Sequence, residues 1–243
     1  MNRTQFAVRL FGGFQLSAWG RPVELPLSAQ RLLGFLALQE GNLVRGYVAA
    51  TLWPDTTDEK AAANLRTALW RLHGPDSDLI VSSQRQLRLH PDVWVDARAV
   101  RAAAREQRRS GALPDDDVLI SIRGELLPGC WDSWLVFERE RLREEAVHLC
   151  EALCAACLAR ADSNRAILLA LAAVEADPLR ESANVWVLRA HLAAGNRAEA
   201  MRHARRYATT LFDELGIEPS PIVDELLWAV PPVGTSLRPA VAL

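Results

Sequence analysis

Hydrophobic and polar positions change their period several times along the chain, and each change marks an element. In residues 6–27 they alternate: FAVRLFGGFQLSAW breaks at Gly12-Gly13, and Trp19-Gly20-Arg21-Pro22 turns the chain into VELPL. The pattern predicts a small antiparallel sheet. From Ser28, a fair helix N-cap, the period lengthens, with Leu32, Leu33, Leu36 and Ala37 forming an apolar stripe that Gly41 closes. Residues 45–53 predict a second, short helix stopped by Pro54. Residues 54–59 predict a polar loop whose acids can cap the helix that follows. Residues 79–82 and 87–90 return to alternation around Ser83-Gln84-Arg85-Gln86, a hairpin signal.

Between loop and hairpin lies the most informative stretch, residues 60–74, KAAANLRTALWRLHG. On a helix Ala61, Leu65, Ala68, Leu69 and Leu72 gather on one side at i, i+3/i+4 spacing, and Gly74-Pro75 ends the run. The opposite side carries Asn64, Arg66, Thr67, Trp70, Arg71 and His73, with no acid among them. Such a face suits the major groove, where Arg addresses guanine edges and phosphates, Asn addresses adenine edges, and a Thr methyl meets a thymine methyl. A core helix with a solvated polar side has the same pattern, so the neighbours must decide. Sheet, three helices and hairpin, in that order, make a winged helix-turn-helix. Its third helix enters the major groove, and its hairpin tip, here Arg85, touches the backbone or minor groove.

From Asp96 onward the chain reads as continuous helix. DARAVRAAAREQRR is helical, GALPDDD is a loop, and LLPGCWDSWL breaks and restarts the chain with two tryptophans expected to anchor an interhelical core. A long helix is predicted over 132–161, with Trp134, Phe137, Leu142, Val147 and Leu149 on apolar faces and RERLREE as a solvated, salt-bridged face. Helices over 164–176, 179–194 and 197–215 follow. The unit from Asn164 to about Arg197 is close to the ~34-residue tetratricopeptide period. Residues 231–243 lack periodicity and are expected to be a flexible tail. The fold class is therefore α+β: an N-terminal winged helix-turn-helix over residues 1–95, then an all-α, tetratricopeptide-like domain over 96–230.

Charge sharpens this division. The whole chain carries a net charge of -2, which does not suggest a polyanion partner. Residues 1–95, however, hold 10 Lys+Arg against 8 Asp+Glu, and residues 96–243 hold 18 against 22. Only the first part is net positive, so any nucleic-acid surface belongs there. The start, MNRTQFAVRLFGGF, has no signal-peptide core, and no apolar run reaches the ~18–20 residues of a membrane span, so a cytoplasmic protein is expected. Cys150, Cys154 and Cys157 share a helix face and Cys130 stands apart. Only His148 lies nearby, so the cysteines read as reduced, apolar packing residues and not as a metal site. No phosphate-binding G-x-x-x-x-G-K-[ST] loop and no alternating strand–helix frame is present. His90, His148, His191 and His203 are scattered, the last two expected at the surface. The expectation is no enzyme, no metal and no cofactor.

Two stretches carry a family resemblance: LWPDTTDEKAAANLRTALWRL, and DPLRESANVWVLRAHLAAGNRAEAMRHARRYATTLFDELGIEPSP with its L-x-x-E-L-G-I-E-P-S-P ending. Together the chain, from about Phe6 to Trp228, resembles the SARP-type bacterial transcriptional activators, which join an OmpR-type winged helix to a bacterial transcriptional activation domain. The resemblance implies DNA-binding residues at Arg66, Thr67, Trp70 and Arg71, a wing at Arg85, binding to direct repeats near a promoter, and RNA polymerase recruitment. With the rest of the polar face, the candidate DNA-contacting set is Lys60, Asn64, Arg66, Thr67, Trp70, Arg71, His73 and Arg85. The 54–59 loop supplies Asp55, Asp58 and Glu59 as candidate polymerase contacts, capping of the next helix being their other reading. Two positions depart from the family pattern. His73 stands where an Arg is common, and Trp70 replaces a small or polar residue, either to contact DNA or to fold back onto the sheet. The implied partners are double-stranded DNA and RNA polymerase, with self-association through the helical domain. The competing class is a protein-interaction adaptor whose helical array binds a partner and whose winged helix reads no DNA.

Overall fold

The computed structural model describes residues 6–72, 79–112, 114, 118, 121, 122 and 124–228. His73 of the candidate set, the Gly74-Pro75 helix stop and residues 231–243 lie outside the described residues. By contact the chain divides into two compact units, Met1–Ala146 and Val147–Leu243.

In the first unit the alternating N-terminal residues form β1 (Phe6–Arg9), β2 (Gln15–Ala18) and β3 (Arg21–Val23). These pair antiparallel in sequence order, with Phe6 opposite Ala18 and Leu16 opposite Val23. The sheet gains a strand absent from the sequence reading, β7 (Trp94–Val95), which lies parallel to β1. Three helices come between: α1 (Leu27–Leu38), α2 (Arg45–Leu52) and α3 (Asp58–Leu72). Their apolar stripes meet one core with the sheet, and Leu32, Leu36, Val48, Leu52, Leu65 and Leu69 are all buried in it. A second sheet has the order β4-β6-β5, from β4 (Leu43–Val44), β5 (Ile80–Ser82) and β6 (Gln86–Leu89), all antiparallel.

The first unit does not stop at residue 95, where composition changes. α4 (Asp96–Ser110) and the start of α5 (Ser133–Ala159) belong to it, since Ala97, Leu126, Leu135 and Leu142 lie in the same core as the sheet and α1–α3. Polar bonds fasten them further. The C-terminal carbonyls of a helix lack intrahelical donors, and α4 supplies them. Arg98 donates to the carbonyls of Leu36, Ala37 and Gln39, and Arg101 donates to that of Leu38. Asp96 is buried and accepts the backbone N–H groups of Leu10, Phe11 and Ala97. Desolvation raises its pKa even though those three bonds pull the other way. Residues 124–127 run beside the end of β1, where Gly12 N donates to Glu125 O and Leu127 N to Leu10 O. The approach demands a glycine at 124, because a Cβ there would stand 2.8 Å from the Gly12 nitrogen.

Three expectations from the pattern are corrected. α1 starts one residue before Ser28, with Pro26 at the cap position and no side-chain cap bond, so Ser28 is not its N-cap. Of the tryptophans expected as core anchors, Trp134 packs edge-on against Phe35 at 5.0 Å, but Trp131 is 88% exposed. Phe137, expected on an apolar face, is 84% exposed.

The second unit contains the rest of α5, then α6 (Ser163–Ala176), α7 (Glu181–Ala193), α8 (Arg197–Leu215) and α9 (Pro221–Trp228). α6 packs on α7 and α7 on α8, the neighbour-to-neighbour stacking of a helical repeat. Asp162 caps α6 by accepting from Arg165 N. His203, expected at the surface, is buried instead. It lies on the same stripe of α8 as Ala200, Ala204, Tyr207 and Leu211, which faces α7.

Candidate nucleic-acid interface

α3 begins two residues earlier than the periodicity suggests, because Thr57 and not a later residue starts it. The Thr57 hydroxyl accepts from Lys60 N at 3.4 Å, which puts Asp58 and Glu59 in the first turn. There their charge complements the partial positive end of the helix. Asp55 remains in the turn before it, and all three acids are exposed. The buried side of α3 is Ala61, Leu65, Ala68, Leu69 and Leu72, the set the spacing gives.

On the outer side Lys60, Arg66, Thr67, Trp70 and Arg71 are exposed and Asn64 is half-buried. At 76% exposure the Trp70 ring does not fold back onto the sheet. Three contacts refine the face. Thr67 Oγ1 donates to the Ala63 carbonyl at 3.1 Å. Arg71 Nη1 donates to Ser28 Oγ at the start of α1, at 3.0 Å. Arg66 lines a cleft of about 650 Å³ between α2 and α3, with Arg45, Tyr47, Ala50 and Asp58. Ser28, Arg45 and Tyr47 are thus neighbours of the face that the local pattern did not reveal. Bonds across 37 or 43 positions leave no trace in a periodicity.

The hairpin supplies the wing. Its turn is held by Ser83, whose hydroxyl accepts from Gln86 N at 3.0 Å, and the exposed Arg85 sits at the tip. β4 pairs with β6, and the first residue of α2 joins the wing to the helices: Arg45 N donates to Arg85 O at 2.9 Å, and the Arg45 guanidinium donates to Ser82 Oγ and Ser83 O. The short strand and the first residue of α2 thus tie the tip to the helices. The structure brings Lys60, Asn64, Arg66, Thr67, Trp70 and Arg71 onto one helix surface and puts Arg85 on the adjoining hairpin. The polymerase candidates sit at the other end of α3, at its N-terminus.

Cys150, Cys154 and Cys157 are buried, and Cys130 is half-buried; burial pushes the Cys154 thiol up to about 12, against any thiolate role. Among the described residues no group of three or more His, Cys, Asp or Glu side chains is arranged to hold a metal ion. No described helix is long and apolar enough to cross a membrane. In the second unit Glu181 accepts from Ser220 N at 2.9 Å and receives a Tyr207 O–H bond at 3.4 Å, tying the α8–α9 connection to the start of α7. A groove of about 660 Å³ lies between α8 and α9, lined by Met201, Phe212, Leu227 and Trp228 among others.

Comparison with known proteins adds a family and a fold. The model of the family described as bacterial transcriptional activator domain matches residues 91–230. Among solved structures, Mycobacterium tuberculosis EmbR in complex with a low-affinity phosphopeptide aligns with a TM-score of 0.60 at 22% identity, covering 93% of this chain and 64% of that one. The chain therefore spans less than two thirds of the EmbR chain, and the likeness is one of fold. The search of curated proteins found no match.

Proposed function

The chain belongs to the bacterial transcriptional activator domain family, and from that premise we propose that its first unit reads double-stranded DNA in a sequence-specific way and that the bound protein recruits RNA polymerase. α3 is the groove element and Arg85 the wing contact. Lys60, Asn64, Arg66, Thr67, Trp70 and Arg71 face the duplex, and direct repeats near a promoter are the target. The observation that carries this reading is the outer surface of α3. It has cations, an amide and an unpacked indole, and no acid after the first turn, and the hairpin is tied to α2, the helix packed against it. An adaptor built on the helical repeat has no need of such a surface on its other unit.

Asp55, Asp58 and Glu59 form an acidic end to the same helix and are the proposed polymerase contacts. Their position also suits the helix dipole, so the test must separate the two roles. A gel shift of the full chain on fragments of genomic DNA, repeated at several salt concentrations, tests the first half. Affinity should fall with a log–log slope of about −0.9 per phosphate contacted. A chain that binds no fragment at low salt refutes the reading. For the second half, Asp55→Ala should lower transcription in vitro while leaving promoter affinity unchanged. Equal loss of both assigns the acid to the stability of α3.

A further inference from the structure

The part of α3 that stands furthest out is not an arginine. At about 100° per residue the buried residues occupy one arc, and the direction opposite it falls on Ala63, Thr67 and Trp70, at i, i+4 and i+7. Ala63 is half-buried, Thr67 exposed and Trp70 the one exposed large hydrophobic side chain of the helix. Because the Thr67 hydroxyl is bonded back to the Ala63 carbonyl, its methyl is the end left without a polar partner. The outermost ridge is therefore methyl, methyl, indole. The cations stand at its shoulders, Arg66 along the α2 cleft and Arg71 bonded to Ser28 of α1.

An apolar ridge between two cationic shoulders has one complement in the major groove of B-DNA. The base edges there present polar donors and acceptors, apart from the C5-methyl of thymine. We propose that the Ala63–Thr67–Trp70 ridge recognises consecutive thymine C5-methyl groups, with Arg66 and Arg71 held toward the phosphates on either wall. The inference rests on the DNA-reading function above and names what that surface reads. The ridge is about 10 Å long, seven residues at 1.5 Å rise, which spans on the order of three base steps at 3.4 Å each. The indole, the widest member, covers the methyl at one end of the run, and Thr67 covers its neighbour.

The test uses the full chain and the duplex it selects from a random-sequence pool. Each thymine of the selected site is replaced singly by deoxyuridine, which keeps every hydrogen-bonding atom and removes only the methyl. The expected result is a loss of about fourfold at each of two or three adjacent positions, the worth of one buried methyl. At one of them the loss disappears in Trp70→Ala. At the next it disappears in Thr67→Ser, which keeps the hydroxyl bonded to Ala63. The salt slope should stay unchanged in both variants, since no phosphate contact is removed. A selected site indifferent to uridine throughout, or uridine losses undiminished in both variants, overturns the ridge while the DNA-reading function stands. A chain that selects no sequence overturns that function and the ridge with it.

Discussion

Acidification should weaken the second unit through one side chain. His203 is buried on α8, with Nε2 2.8 Å from Asn184 Oδ1 on α7. The Asn184 amide nitrogen donates to the carbonyls of Pro178 and Arg180, so its oxygen is the acceptor and the histidine donates through Nε2. Burial first, then the nearby Arg206 and His191, push the His203 pKa down to about 4 from an ordinary 6.5. Between those two values the unfolded chain binds a proton that the folded chain refuses, so stability rises with pH across that window. The contribution is complete above about pH 6.5 and is lost as pH falls through about 4. The separation corresponds to about 3 kcal/mol in all, most of it gone by pH 4.5. Urea denaturation of the full chain at pH 7 and pH 4.5, with His203→Gln beside it, measures the effect. The glutamine amide can still donate to Asn184 but does not titrate, so the variant should lose about 2–3 kcal/mol less than the parent over the same interval. Equal losses in the two proteins refute the assignment. So does a histidine NMR titration in which every imidazole protonates near pH 6.5.

Two further predictions concern the first unit. Asp96→Ala leaves the N–H groups of Leu10 and Phe11 without their acceptor, and should cost about 1–3 kcal/mol for the buried donor at Leu10, read as a lower urea midpoint; an unchanged midpoint would show that water takes the carboxylate's place. A chain ending at residue 95 loses Asp96, the Arg98 and Arg101 bonds to the end of α1, and the Leu135 and Leu142 side chains from the core, so it should show no cooperative unfolding, whereas one ending at residue 159 should. Circular dichroism under thermal denaturation distinguishes the two, and cooperative melting of the shorter chain would contradict the packing described.

Sequence pattern was a good guide wherever an element is long and one-sided. The five buried positions of α3 follow from spacing alone, and the hairpin follows from two alternating runs around Ser83–Gln86. It failed where elements are too short to show a period. β4 and β7 have two residues each, and α9 has only eight. His203 was misjudged on residue type, although its place on the Ala200–Ala204–Tyr207 stripe carried the opposite message. Arg98 and Arg101 sit in what reads only as a helix. Their targets are carbonyls some 60 residues earlier, and only the fold brings a donor to an acceptor across that distance. For the candidate interface, sequence supplied the residues of α3. Which end of Thr67 is left free depends on its bond to Ala63, and where Arg66 and Arg71 are held depends on the neighbouring helices; only the fold supplies these.

The junction of β4 and α2 at Arg45 bears on how a contact surface keeps its spacing. Because Arg45 binds the turn through its backbone N–H and its guanidinium, the wing tip is tied to α2, which packs on α3. On the proposed DNA-reading function the two arms form a gauge fixed before any duplex arrives, so little ordering entropy would be lost when both engage at once. A change at Arg45, outside both arms, would detune that spacing without touching either.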